Sequence, residues 1–105
     1  MEQVSGNIFL RKMNHNKGDV TQGHTHNFDH TTIVFTGAVH VKAKLPDGRL
    51  IERDFAAPTH FLVKAEVEHE ITALEDGTQY WCVYSHRTPQ DEIVQTYTGW
   101  GDAYT

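Results

Sequence analysis

Three tight-turn signals cut the first 85 residues into short extended runs. Thr36-Gly37, Pro46-Asp47-Gly48 and Asp76-Gly77 each supply the glycine or proline that a chain reversal requires. Almost nothing before residue 88 carries a helical period. Val39, Val41, Ala43 and Leu45 alternate with His40, Lys42 and Lys44, the period-two pattern of a half-buried strand. Ile8-Phe9-Leu10 reads as a short strand between Gly6-Asn7 and a loop over Asn14 to Asp19. Thr31 to Phe35, Arg49 to Phe55, Thr59 to Val63, His69 to Leu74 and Gln79 to Ser85 read as further strands. Many short strands spaced by turns predict an all-β sandwich or barrel. The tail differs. Thr88-Pro89-Gln90-Asp91 has the residues of a helix start, with Glu92 to Tyr97 as its continuation. Gly99-Trp100-Gly101 then breaks any helix and leaves an irregular, aromatic end over Tyr97 to Tyr104.

The chemistry is concentrated in one stretch. Of the eight histidines among 105 residues, three fall between His24 and His30. If the stretch is extended, His24 and His26 place both imidazoles on one face, about 6.5–7 Å apart at Cα. That is close enough for both rings to meet one metal ion, whose bonds to nitrogen are about 2.0–2.1 Å.

Turn chemistry places more of them. With Thr36-Gly37 as a two-residue hairpin turn, His30 faces Ala43 and points to the apolar side. With Asp76-Gly77 as a type I′ turn, Ala73 pairs with Tyr80, Ile71 with Cys82 and His69 with Tyr84. Two histidines, His30 and His69, are thereby expected on the inner wall.

Composition narrows the class. The length is that of one domain, and 38% apolar with 10% aromatic residues suits a folded globule. A net charge of −5, with nine scattered Lys and Arg, provides no basic stripe for nucleic acid. The single cysteine, Cys82, permits no internal disulfide and points to a reducing cytoplasm. No apolar run reaches the ~20 residues that span a bilayer, and no signal-peptide core follows Met1.

The histidine spacing resembles the first motif of the cupin superfamily. Gly18 is followed by five residues, then His24-Thr25-His26, three residues, His30, six residues and Gly37. His30 stands where that family has glutamate. Chance placement of these residues at this composition has a probability on the order of 0.0003. Val63 to His69 is similar to the second motif and keeps its histidine, His69, while Lys64 and Glu66 replace its proline and glycine. Ala73 stands for its asparagine.

The resemblance covers roughly residues 18–85 and implies a double-stranded β-helix, a jelly-roll barrel, as a single cupin domain over 1–105. The barrel core would span 18–85 and a C-terminal extension, a short helix or irregular tail, 88–105. It also implies one divalent transition metal (Fe, Mn, Cu, Ni or Zn) held by His24, His26, His30 and His69. Four neutral imidazoles leave such an ion more Lewis-acidic than a site that includes a carboxylate. Asp29, the nearest carboxylate, points away from His30 and reads as a loop cap. Closed structural zinc sites are built mostly with cysteine, which argues against a purely structural ion.

Around this site, Tyr84 either donates a hydrogen bond to a bound ligand or is a wall residue satisfied elsewhere. Cys82 reads as a small buried hydrophobe rather than a nucleophile. Phe28 covers the cavity mouth, and His86 reaches towards the rim. His15, His40 and His60 have no partner by spacing and read as surface or packing residues. Ile33, Phe35, Trp81 and Val83 make the outer face apolar, which the aromatic tail or a second subunit would cover, and a homodimer is expected. The expected function is a metal-dependent oxygenase or dioxygenase acting on a small organic molecule. Its alternatives are a non-catalytic binding protein and a metal-dependent isomerase or lyase.

Overall fold

A computed structural model describes residues 1–23 and 25–94; His24 and residues 95–105 lie outside the described residues. Nine strands, and no helix among the described residues, make up the fold: β1 Glu2–Ser5, β2 Ile8–His15, β3 Val20–Thr21, β4 His30–Thr36, β5 Ala38–Lys44, β6 Leu50–Ala56, β7 Thr59–Val63, β8 Glu68–Ala73 and β9 Thr78–Ser85. They form two antiparallel sheets, one in the order β1-β2-β9-β4-β7 and the other β3-β8-β5-β6. The architecture is a jelly-roll β-sandwich: all-β as the short strands and turns predict, and a jelly roll as the resemblance implies.

Alternation drives the packing. In β5, Val39 and Val41 are buried while Lys42 and Lys44 are exposed. Val34, Val39, Val41, Phe61, Val63, Ile71 and Tyr80 meet between the sheets as one apolar core. Each such side chain contributes about 1.5–3 kcal/mol on leaving water. The Pro46-Asp47-Gly48 turn joins β5 and β6 as the predicted hairpin, in register from Ala38↔Ala56 to Lys44↔Leu50.

The other two turns behave differently. β4 pairs with β7 and β9, not with β5, and β8 pairs with β3 and β5, not with β9. Thr36-Gly37 and Asp76-Gly77 therefore carry the chain from one sheet to the other. Gly37 shows why: its φ is +76°, and an added Cβ would lie 2.2 Å from the Thr78 hydroxyl oxygen and 2.9 Å from the Thr78 Cα. This is a corner packed against its neighbour, with no room to fold back flat. His30 and His69 still face inward, at 4% and 6% exposure, because inner-face parity survives the change of partner.

The strand at Ile8-Phe9-Leu10 continues through residues predicted as loop and ends at His15. The N-terminal residues add β1 at its edge. At residues 88–94 the predicted helix start is instead a reversal. Thr88 does cap a turn, its hydroxyl accepting from the Glu92 N–H at 3.2 Å. Arg87 and Ile93 then form an antiparallel bridge, and the Val94 N–H donates to the His86 carbonyl at 2.9 Å. Asp91 takes φ +65°, which ends any helical turn. The remainder of the predicted helix and the aromatic tail, Tyr97 to Tyr104, lie outside the described residues. Among the described residues no helix is long and apolar enough to cross a membrane.

Candidate functional site

Two segments build the site, and backbone contacts join them. Gly23 lies against β8 so closely that a Cβ there would fall 1.6 Å from the His69 carbonyl oxygen. Three residues on, the His26 carbonyl accepts from the Glu66 N–H at 2.7 Å. Asp29 accepts from the Ala65 N–H at 2.7 Å, the loop-cap role expected of it. The loop over residues 22–29 is thus tied to the segment that leads into His69.

These ties gather the imidazoles. The His26 and His30 rings lie 5.2 Å apart edge to face, His30 and His69 5.4 Å, and His26 and His69 6.5 Å. The His69 Nδ1–H approaches the Val67 carbonyl at 3.4 Å, a tautomer that puts the lone pair on Nε2. The three rings border a cavity of about 20 Å³, together with Arg11, Cys82 and Tyr84. That is room for one water-sized body rather than an organic molecule.

Two imidazoles bound at right angles to one ion have ring centroids about 4.5 Å apart. The 5.2 Å and 5.4 Å pairs stand wider than that by less than about 1 Å, and the 6.5 Å His26–His69 pair by about 2 Å. Accordingly, among the described residues no group of three His, Cys, Asp or Glu side chains is arranged to hold a metal ion. His24, the fourth predicted ligand, lies outside the described residues. In kind and place the donors still suit an ion: three imidazoles converge on a space of the right size, with no carboxylate among the described residues lining it.

Aromatic residues close one side. Phe28 stacks on His26 at 4.9 Å and meets Tyr84 at a tilt at 5.0 Å, and the Arg87 guanidinium covers its ring at 4.3 Å. Tyr84 comes from the sheet opposite His69, not from a strand paired with it, and stands 5.9 Å from both His26 and His30. Burial raises the Tyr84 hydroxyl above its ordinary value, and burial likewise raises the Cys82 thiol. Cys82 is within 3.7 Å of the Thr32 hydroxyl. A thiol held protonated in this way is a poor nucleophile. His86 stacks on Phe9 at 6.2 Å and does not border the cavity.

Sequence reasoning passes over several residues. His15 has partners: its Nε2 lies 3.2 Å from the Thr21 hydroxyl, which in turn bonds the buried Tyr80 hydroxyl. Burial pushes the Tyr80 pKa up to about 12. His40 sits between Asp54 at 2.5 Å and Glu52 at 3.1 Å on the outer face. His60 is exposed. Arg11 escapes notice when only Ile8-Phe9-Leu10 is read as strand. Alternation continued from Phe9 places Arg11 and Met13 on the same inner face.

No protein-family model matches the chain, and no curated protein sequence does. Solved structures do match. A single-residue variant of the oxalate decarboxylase of Bacillus subtilis superposes with a TM-score of 0.71 at 20% identity, over 85% of this chain and 24% of that one. The oxalate decarboxylase of Lactobacillus farciminis, a formate complex, gives 0.69 at 24% identity, over 78% and 24%. KdgF from Halomonas sp. gives 0.66 at 20% identity, over 82% of this chain and 76% of that one. The fold is a cupin fold. Against the oxalate decarboxylases this chain spans about a quarter of their length.

Proposed function

We propose that the chain is a single-domain, metal-dependent cupin enzyme acting on a small organic molecule. His24, His26, His30 and His69 would hold one divalent transition metal. The observation that carries this reading is the convergence of His26 and His30 from one segment and His69 from another on one ion-sized cavity. The oxalate decarboxylase of similar fold has Mn(II) centers. When bound, such an ion polarises substrate oxygen atoms and, if redox-active, exchanges electrons with dioxygen.

The protein's own contribution is positional. Phe28 and Tyr84 screen the histidines from water on one side, and the Tyr84 hydroxyl would donate a hydrogen bond to the ligand. The resemblance to the cupin superfamily favours an oxygenase or dioxygenase. The similarity in fold to oxalate decarboxylase favours a second reading, a metal-dependent lyase or isomerase. We place the enzyme in the cytoplasm, as a homodimer. Phe35 packs against Trp81 at a tilt, 4.7 Å between ring centres, and remains 43% exposed, an apolar surface on which a second copy would sit.

Elemental analysis tests the site. Close to one transition metal per chain is expected, lost in the His26→Ala, His69→Ala double variant; unchanged metal in that variant would overturn the assignment. Oxygen uptake by Fe(II)-loaded protein with diketones, flavonols or thiols separates the two readings. Turnover without dioxygen would select the lyase or isomerase.

A further inference from the structure

Arg11 is the misfit of the inner face. Along β2, Phe9, Arg11 and Met13 pair with Tyr84, Cys82 and Tyr80 of β9, all on the side that faces the opposite sheet. Arginine is rarely placed among such residues without a counter-charge, because its guanidinium must be taken out of water. The other three arginines have an evident place. Arg49 pairs with Asp47 and Arg87 with Asp91, while Arg53 lies over the Phe55 ring on an exposed strand.

Arg11 is half-buried and, among the described residues, makes no hydrogen bond or ion pair. Glu2 stands opposite it across the β1–β2 pair but forms no ion pair with it. Arg11 borders the cavity beside the three imidazoles. Its field reaches Tyr80, Cys82 and Tyr84, each of which it makes more acidic against the larger effect of burial. No carboxylate among the described residues lines the same space. The chain as a whole carries −5, so this positive spot is local and not part of a general basic surface.

We propose that Arg11 selects an organic anion as the substrate of this site, its guanidinium fork holding a carboxylate beside the histidines. The proposal rests on the reading of the site as a small-molecule centre. A carboxylate meets the planar fork through two parallel hydrogen bonds, and it supplies the negative charge that the cavity wall lacks. The cavity of about 20 Å³ takes a single water-sized group, so at most one carboxylate oxygen enters it and the rest of the anion lies outside.

Calorimetric titration of the full-length, metal-loaded protein tests this with malonate and its uncharged analogue malonamide, metal content being measured on the same samples. Malonate is expected to bind at least about tenfold more tightly than malonamide. Arg11→Gln should remove that preference at unchanged metal content, and Arg11→Lys should restore part of it. Equal binding of acid and amide, no malonate binding at millimolar concentration, or full malonate affinity in Arg11→Gln would overturn the proposal. Should Arg11→Gln fail to fold, the acid–amide contrast and the Lys variant decide. Malonate selectivity through Arg11 in a protein that holds no metal would instead refute the metal site and leave the anion site standing.

Discussion

Gly23 and Glu66 sit in the two segments that bring histidines to the cavity, and they show two different demands that a backbone makes on sequence. At Gly23 the demand is steric: a Cβ would overlap the His69 carbonyl, 1.6 Å away, so no side chain fits without moving β8. At Glu66 the demand is conformational. The residue takes φ +65°, the region that favours glycine, but its side chain is exposed and meets nothing that forbids it. The cost there is about 1–2 kcal/mol, set by the residue's own backbone. The loop over 22–29 is thus held by a contact with no alternative, and the segment over 64–69 by a strain that the fold tolerates.

Substitution separates the two demands. Gly23→Ala has the largest expected effect, a loss of about 3 kcal/mol in urea unfolding together with loss of bound metal, since β8 and His69 must move. A loss below about 1 kcal/mol would show that the close approach relaxes easily. Glu66→Gly has the opposite sign: it should raise stability by about 0.5–1 kcal/mol, strain relief outweighing the greater freedom of glycine in the unfolded chain. A destabilised Glu66→Gly would mean that the glutamate side chain, not φ, matters.

The smallest effect lies outside both segments and sharpens them by contrast. Hydrogen bonds that the His40 ring donates to Asp54 and then to Glu52 raise its pKa above the ordinary 6.5. A raised pKa means that His40 stabilises the fold fully below about pH 6.5, and the contribution fades as pH rises through the folded-state value. Because the cluster is exposed, the shift in melting temperature between the two regimes should be no more than about 2 °C, and absent in His40→Gln.

Where the sequence is legible, one local rule suffices. Val39 and Val41 inward against Lys42 and Lys44 outward is alternation alone, and the β5–β6 hairpin needs only Pro46-Asp47-Gly48. Turn chemistry is less informative at Gly37 and Gly77, because a glycine that permits reversal does not say whether the returning strand lies beside its predecessor or across the core from it. That depends on what the strands meet, as the contact between Gly37 and Thr78 shows. Arg11 is hidden for a related reason: a lone cation in a polar-looking stretch is read as solvated until its strand is known to extend to His15. The histidines are the clearest feature of the site. Their spacing is short-range, and inner-face parity places His30 and His69 correctly even when the wrong partner strand is assigned.

The sheet order has a consequence for how such a chain is made. Strand β9, the last of the nine, lies between β2 and β4 in its sheet. On a ribosome, β5 and β6 can close as a hairpin soon after they emerge. β2 and β4, by contrast, have no partner on their shared side until Thr78–Ser85 has left the exit tunnel. Tyr84 arrives with that same strand, so the aromatic wall over His26 and His30 is among the last parts to form. A nascent chain halted before residue 78 would expose the unpaired edges of both strands to the cell's chaperones.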